Sequence, residues 1–144
     1  MKTRRKPHFL TVFTVLGLIL IFGVLAFSKE SPTTVGTRFM SALAAGDVDT
    51  LTEITYMPGA DKKEIREKWV YATEVAGKYY YFKWRIKGDQ QSDDRTASVR
   101  VEVEKNQQGY GDDYGLDIRK DEDGAWKVDV RSISREMYPG LPRG

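Results

Sequence analysis

Lys78-Tyr-Tyr-Tyr-Phe-Lys-Trp-Arg-Ile-Lys87 decides the fold. Tyr80, Phe82, Trp84 and Ile86 recur at every second position, and Tyr79, Tyr81, Lys83, Arg85 and Lys87 take the alternate ones. A period of two belongs to a strand whose successive side chains leave opposite faces of a sheet. One face of this strand is apolar; the other carries tyrosines and cations. The chain before Gly77 keeps helical spacing, and the chain after it repeats the period of two.

Downstream, a polar turn over 88–94 leads into Arg95–Lys105. There Ala97, Val99, Val101 and Val103 alternate with Ser98, Arg100, Glu102 and Glu104. A glycine-containing loop follows over 106–113. Tyr114, Leu116 and Ile118 then mark a third strand, Asp121-Glu-Asp-Gly124 a tight turn, and Trp126, Val128 and Val130 a fourth strand. Strands joined by short polar loops predict an antiparallel meander.

Upstream, Val35, Phe39, Ala42 and Leu43 fall at i, i+4, i+7 and i+8, the stripe of an amphipathic helix. Ser31 to Thr34 supply hydroxyl caps, and Gly46 stops the helix. Asp47 or Asp49 caps a second short helix carrying Val48, Leu51 and Ile54, broken by Met57-Pro-Gly59. Asp61, with Glu64 three residues on, opens a third helix bearing Ile65, Trp69, Ala72 and Ala76. The expectation is an α+β fold, about three helices packed on the apolar face of a four-stranded antiparallel sheet.

The N-terminal part decides location. Residues 9–27 run without a single charge, preceded by Lys2, Arg4, Arg5 and Lys6. At about 1.5 Å per residue, a helix of that length reaches roughly 28 Å, close to the ~30 Å hydrocarbon thickness of a bilayer. Basic residues beside a span stay on the cytoplasmic side. The expected organisation is a cytoplasmic tail over 1–8, a transmembrane helix over 9–27 and a linker over 28–33. An α+β domain over 34–133 and a flexible tail over 134–144 then lie outside the cell membrane. The alternative is a signal peptide cleaved after Ala26, which would release the domain as a secreted protein.

Composition narrows the chemistry. The chain has 144 residues, no cysteine and one histidine, His8, beside the apolar run. Disulfides, thiolate nucleophiles and Cys-ligated metals are excluded, and the outer part lacks the histidine of Ser-His or Cys-His machinery. Setting aside the four N-terminal cations, 19 basic side chains face 21 acidic ones, which offers no basic surface for nucleic acid.

Two phrases carry a family resemblance. Val35-Gly-Thr-Arg-Phe-Met-Ser-Ala-Leu-Ala-Ala-Gly-Asp-Val-Asp-Thr-Leu51 resembles the opening helices of nuclear-transport-factor-2-like, or SnoaL-like, domains. Leu116-Asp-Ile-Arg-Lys-Asp-Glu-Asp-Gly-Ala-Trp-Lys-Val128 resembles their closing hairpin. The resemblance spans roughly 33–133. It implies a curved sheet wrapping helices around a pocket, the cystatin-like cone. Members of the family include isomerases, dehydratases and scaffold modules, so the fold leaves the function open.

The inward strand positions in this register run from Tyr80 to Ile86, Ala97 to Val103, Leu116, Ile118, and Trp126 to Val130 on alternate residues. None of them is a carboxylate, and no catalytic residue of the family transfers to a matching position. The sequence therefore calls for no catalytic residue, cofactor or metal. Asp121-Glu-Asp-Gly124 reads as a hairpin turn, because an EF-hand register would need acids where Arg119 and Val130 stand. Tyr80, Phe82, Trp84 and Trp126 are the candidate ligand-binding residues of a pocket. Tyr79, Tyr81, Lys83 and Arg85 form an aromatic-cationic strip for a partner.

Two functions follow from this. The first is a membrane-anchored extracytoplasmic binding or assembly module without catalytic machinery, held in the bilayer by 9–27 and meeting a protein partner in an envelope complex. The alternative is a small-molecule lyase or isomerase of the SnoaL-like type, using Glu53, Glu74 or Asp117 with a tyrosine.

Overall fold

The computed structural model describes residues 30–143. The segment expected to cross the membrane lies outside them. Among the described residues no helix is long and apolar enough to cross a membrane.

Helix α1 (Pro32–Ala45) starts inside the stretch expected as linker. The Ser31 hydroxyl accepts the Thr34 N–H at 3.1 Å, and Pro32 takes a first-turn position where a missing N–H costs nothing. Gly46, at φ 69° and ψ 29°, ends it in the left-handed conformation open to glycine. Helix α2 (Val48–Ile54) is capped by Asp47, which accepts the Thr50 N–H at 3.2 Å. Strand β1 (Thr55–Tyr56) follows directly. Helix α3 (Lys62–Val70) is capped by Asp61 and widens into a π-helical turn, Tyr71–Ala76. There the Gly77 N–H reaches the Ala72 carbonyl at 2.8 Å.

Strands β2 (Phe82–Gln91), β3 (Thr96–Lys105), β4 (Asp112–Lys120) and β5 (Trp126–Asp129) form the antiparallel meander. The sheet has five strands rather than four, in the order β1-β5-β4-β3-β2, and it is mixed, because β1 runs parallel to β5. Two residues are too short to display alternation, and their partners Val128 and Asp129 are remote in sequence. Lys78 to Tyr81 precede β2 instead of opening it, since the Tyr80 N–H turns back to the Gly77 carbonyl at 3.0 Å.

A bulge at Lys87 lets β2 run on past Gly88: Ile86 pairs with Val101, and Gly88 pairs with Arg100. The extra residue reverses the alternation. Asp89 pairs with Val99 and so joins the inner row, where the sequence register placed no carboxylate. It accepts the Thr33 hydroxyl at 2.7 Å, at the first turn of α1, where negative charge is favourable.

The core lies between the three helices and the inner face of the sheet. Phe39, Leu51 and Trp69 meet Val99, Val101, Val103, Leu116, Ile118 and Val128, all fully buried. Gly36 lets α1 approach β3; a Cβ there would stand 3.0 Å from Val99 Cγ1. Phe39 and Trp69 meet edge to face, centroids 5.8 Å apart. The Trp69 indole N–H donates to Thr55 Oγ1 at 3.0 Å, and that hydroxyl donates to the Leu51 carbonyl. A buried indole therefore keeps its one donor satisfied.

The C-terminal tail, expected to fray, packs into this core. Met137, Tyr138 and Leu141 are buried, and the Tyr80 hydroxyl donates to the Met137 carbonyl at 2.9 Å. Two prolines and two glycines suggested looseness; three apolar side chains with a place to go outweigh them.

Candidate functional site

The inner row of β2 is where the sequence placed a pocket. Phe82 and Trp84 lie on it half-buried, with Tyr80 just before it. Two of these rings are already covered, because Tyr138 from the tail stands edge to face against Tyr80 at 5.3 Å and Phe82 at 6.0 Å. The chain thus seats a phenol of its own beside two of the residues expected to bind a ligand. Trp126 is not part of this group. It opens β5, separated from β2 by β4 and β3 and opposite Lys120, at the end of the sheet remote from Phe82, with the Lys120 ammonium 4.9 Å from its ring centroid.

The titration behaviour of the enclosed phenols is that of packing groups. Burial pushes Tyr80 up to about 12, helped by the nearby Tyr114 and Tyr138 phenols. Burial also raises Tyr138. Neither phenol serves as a base near neutral pH.

The acids named for proton transfer stand elsewhere. Glu53, Glu74 and Asp117 are all exposed, and Glu53 faces Lys62 at 3.6 Å. The buried carboxylate is Asp129, only 3% exposed. Its oxygens accept Arg131 Nε at 3.0 Å and Arg131 Nη2 at 2.9 Å, with Arg119 Nε 3.1 Å away. The Arg131 guanidinium in turn covers the Tyr56 ring at 5.7 Å. Burial works to raise the Asp129 pKa, but the hydrogen bonds and charges of the two arginines leave it below the ordinary carboxylate range. It is an ion-paired strap between β1, β4 and β5, not a proton donor.

The Asp121-Gly124 segment is the expected hairpin turn. Asp121 Oδ1 accepts the N–H groups of Asp123 and Ala125, each at 2.9 Å, and Lys127 lies 3.1 Å from the other oxygen. Among the described residues no group of three His, Cys, Asp or Glu side chains converges as a metal site.

The strip proposed for a partner is open. Tyr79 and Tyr81 are 78% and 72% exposed. Lys83 and Arg85 follow on the outer row, and Arg85 is held by Glu102 of β3, Nε to Oε2 at 2.7 Å. Sequence reading missed a second concavity, a surface cleft of about 500 Å³ lined by Glu64, Glu67, Tyr71, Leu141 and Pro142. It joins α3 to the tail, with Lys68 Nζ donating to the Arg143 carbonyl at 3.0 Å. No local motif signals a pairing between residues so far apart in sequence.

No family model and no curated relative matches the chain. Solved structures do resemble it. A ketosteroid isomerase-like protein from Erwinia carotovora atroseptica shares 17% identity over 65% of this chain and 85% of its own, with a TM-score of 0.43. A protein assigned as a polyketide cyclase from Sinorhizobium meliloti shares 18% over 66% and 93%, with a TM-score of 0.42. A protein assigned as an aromatic ring hydroxylase from Novosphingobium aromaticivorans shares 16% over 65% and 78%, with a TM-score of 0.43. At such identity and overlap these likenesses carry no functional conclusion.

Proposed function

We propose that the chain is a membrane-anchored binding module of nuclear-transport-factor-2-like architecture that holds a protein partner outside the cytoplasm. Residues 9–27 supply the anchor, and the basic residues before them set its direction. The architecture is supported by the two sequence phrases and by the order helix, helix, short strand, helix, four-stranded meander. The observation that carries the functional reading is the placement of aromatic groups. Tyr80 and Phe82 on the inner side are packed against Tyr138, while Tyr79 and Tyr81 are left bare beside Lys83 and Arg85. Exposed tyrosines next to cations are the kind of surface that partners use.

Crosslinking in native membranes followed by capture of the tagged full chain tests this. A partner enriched by the natural chain and lost from a Tyr79→Ser, Tyr81→Ser variant is the expected result. A solitary monomer, with the same background in both, would sink the proposal. Recovery of the domain in the soluble extracellular fraction would instead favour release after Ala26.

A second reading, a small-molecule lyase or isomerase, has in its favour the paired phenols Tyr80 and Tyr138 on the inner side of the sheet. It requires the tail to leave and a carboxylate to face the space vacated. Glu53, Glu74 and Asp117 are all exposed, so the binding reading is preferred.

A further inference from the structure

Strand β2 is a ten-residue edge, and the opposite edge, β1, has only two residues. The Asn106 N–H donates to the Tyr81 carbonyl at 3.0 Å, which turns the main chain of Tyr81 toward the β3 side. Antiparallel alternation then turns Lys83 and Arg85 the same way and leaves the N–H and C=O groups of Phe82, Trp84 and Ile86 pointing away from the sheet. Among the described residues nothing meets them. A long open edge is a template for another strand, which proteins normally blunt.

The side chains along this edge specify what fits. The inner row, Phe82, Trp84 and Ile86, is only half-buried, whereas Val99, Val101 and Val103 on the next strand are fully buried. The outer row, Lys83, Arg85 and Lys87, is wholly cationic. On its covered side β2 meets Val101-Glu102-Val103-Glu104, which lays valines beside the rings and glutamates beside the cations. Its open side offers the same two rows. Arg85 remains 70% exposed despite its bond to Glu102, and among the described residues Lys83 has no carboxylate within ion-pair distance.

We propose that the β2 edge receives an extended segment of a partner protein, alternating apolar and acidic residues, as a sixth strand between Tyr81 and Ile86. The bulge at Lys87 sets the far limit, since it twists the edge away. Main-chain hydrogen bonds hold the segment and the two side-chain rows choose it. This rests on the binding-module reading and names the chemistry of the partner. A second copy fits poorly, because two β2 strands would set cations against cations. Residues 1–29 contain no Asp or Glu, so the N-terminal part of this chain cannot supply the acidic row.

The test uses the full chain in detergent with a labelled Val-Glu-Val-Glu-Val-Glu peptide. A Val-Lys peptide of equal length and an N-methylated Val-Glu peptide serve as controls. Anisotropy should rank the acidic peptide about tenfold tighter than the Val-Lys peptide, the scale set by two reversed cross-strand charge pairs. Amide exchange should slow at Phe82, Trp84 and Ile86 but not at Lys83 or Arg85, which are already bonded to β3. The Lys83→Glu, Arg85→Glu variant should reverse the peptide preference. Equal binding of acidic and basic peptides would overturn the proposal, as would binding of the N-methylated peptide or binding without protection of those amides. Concentration-dependent protection of the edge without peptide would overturn it in favour of a second copy. A partner captured from membranes that leaves these amides unprotected overturns strand addition while the binding-module reading stands. Peptide protection with no partner captured has the reverse meaning.

Discussion

Truncating Tyr138 to alanine should destabilise the domain by about 3 kcal/mol. The residue is 4% exposed, and its ring is shared between Tyr80 and Phe82. A buried tyrosine hides roughly 150 Å² or more, which at roughly 25 cal/mol per Å² is about 4 kcal/mol. Compactness of the unfolded chain trims this by roughly a quarter. Truncations of buried aromatic residues fall in a range of about 3–5 kcal/mol, so the figure sits at its lower end. For a unit of this size, about 4 °C of melting temperature accompanies each kcal/mol, giving a drop of about 12 °C. Thermal unfolding followed by circular dichroism reads it directly. Tyr138→Phe, which keeps the ring, should lose under about 1 kcal/mol. A Tyr138→Ala protein melting within about 2 °C of the natural chain would mean that the tail is not seated against Tyr80 and Phe82.

Three other perturbations follow from the same geometry. Thr55→Val strands the Trp69 indole N–H without an acceptor and should cost about 1–3 kcal/mol in urea unfolding at unchanged m-value; no cost would mean that Trp69 finds another partner. Asp129, lowered despite its burial, contributes stability that is present above about pH 4 and lost as pH falls through its lower folded value. Asp129→Asn should therefore weaken the domain at pH 7 and flatten the acid limb of its stability curve, whereas parallel curves for the two proteins would contradict the assignment. Gly77→Ala drives a methyl into the Tyr138 hydroxyl and against the Ala72 carbonyl oxygen, and should cost about 1–3 kcal/mol, only part of it relieved in a Tyr138→Ala background because the carbonyl stays; fully additive losses in that double-mutant cycle would argue against the Tyr138 contact.

Legibility followed pattern length. Helix α1 was readable from Val35, Phe39 and Leu43 and its glycine stop, and β3 from its four alternating valine and alanine positions, because a buried face repeats over many residues. The cap at Asp61 was readable, and those at Ser31 and Asp47 were readable as one choice among neighbouring hydroxyls or acids, because a capping side chain acts within three residues of itself. Strand β1 was not, since two residues have no period. The bulge at Lys87 was not either, and that single extra residue moved Asp89 to the inner row. The aromatic group split for the same reason. Tyr80 and Phe82 were correctly placed inward by alternation, while Trp126 was grouped with them although strand order puts β3 and β4 between. Nothing local announced that Met137 and Tyr138 would pack against Tyr80 and Phe82, because these partners lie more than fifty residues away. Composition judged the tail by its prolines and glycines, and packing judged it by its three apolar side chains.

The occupancy of the inner face decides whether this chain acts from its interior or from its edge. Nuclear Overhauser contacts between the Tyr138 ring and the rings of Tyr80 and Phe82 measure it in solution. Strong cross-peaks are expected, since the centroids lie 5.3 Å and 6.0 Å apart. Random-coil shifts for residues 134–143, with no contact from Tyr138 to either ring, would contradict this packing and return the interior to a ligand.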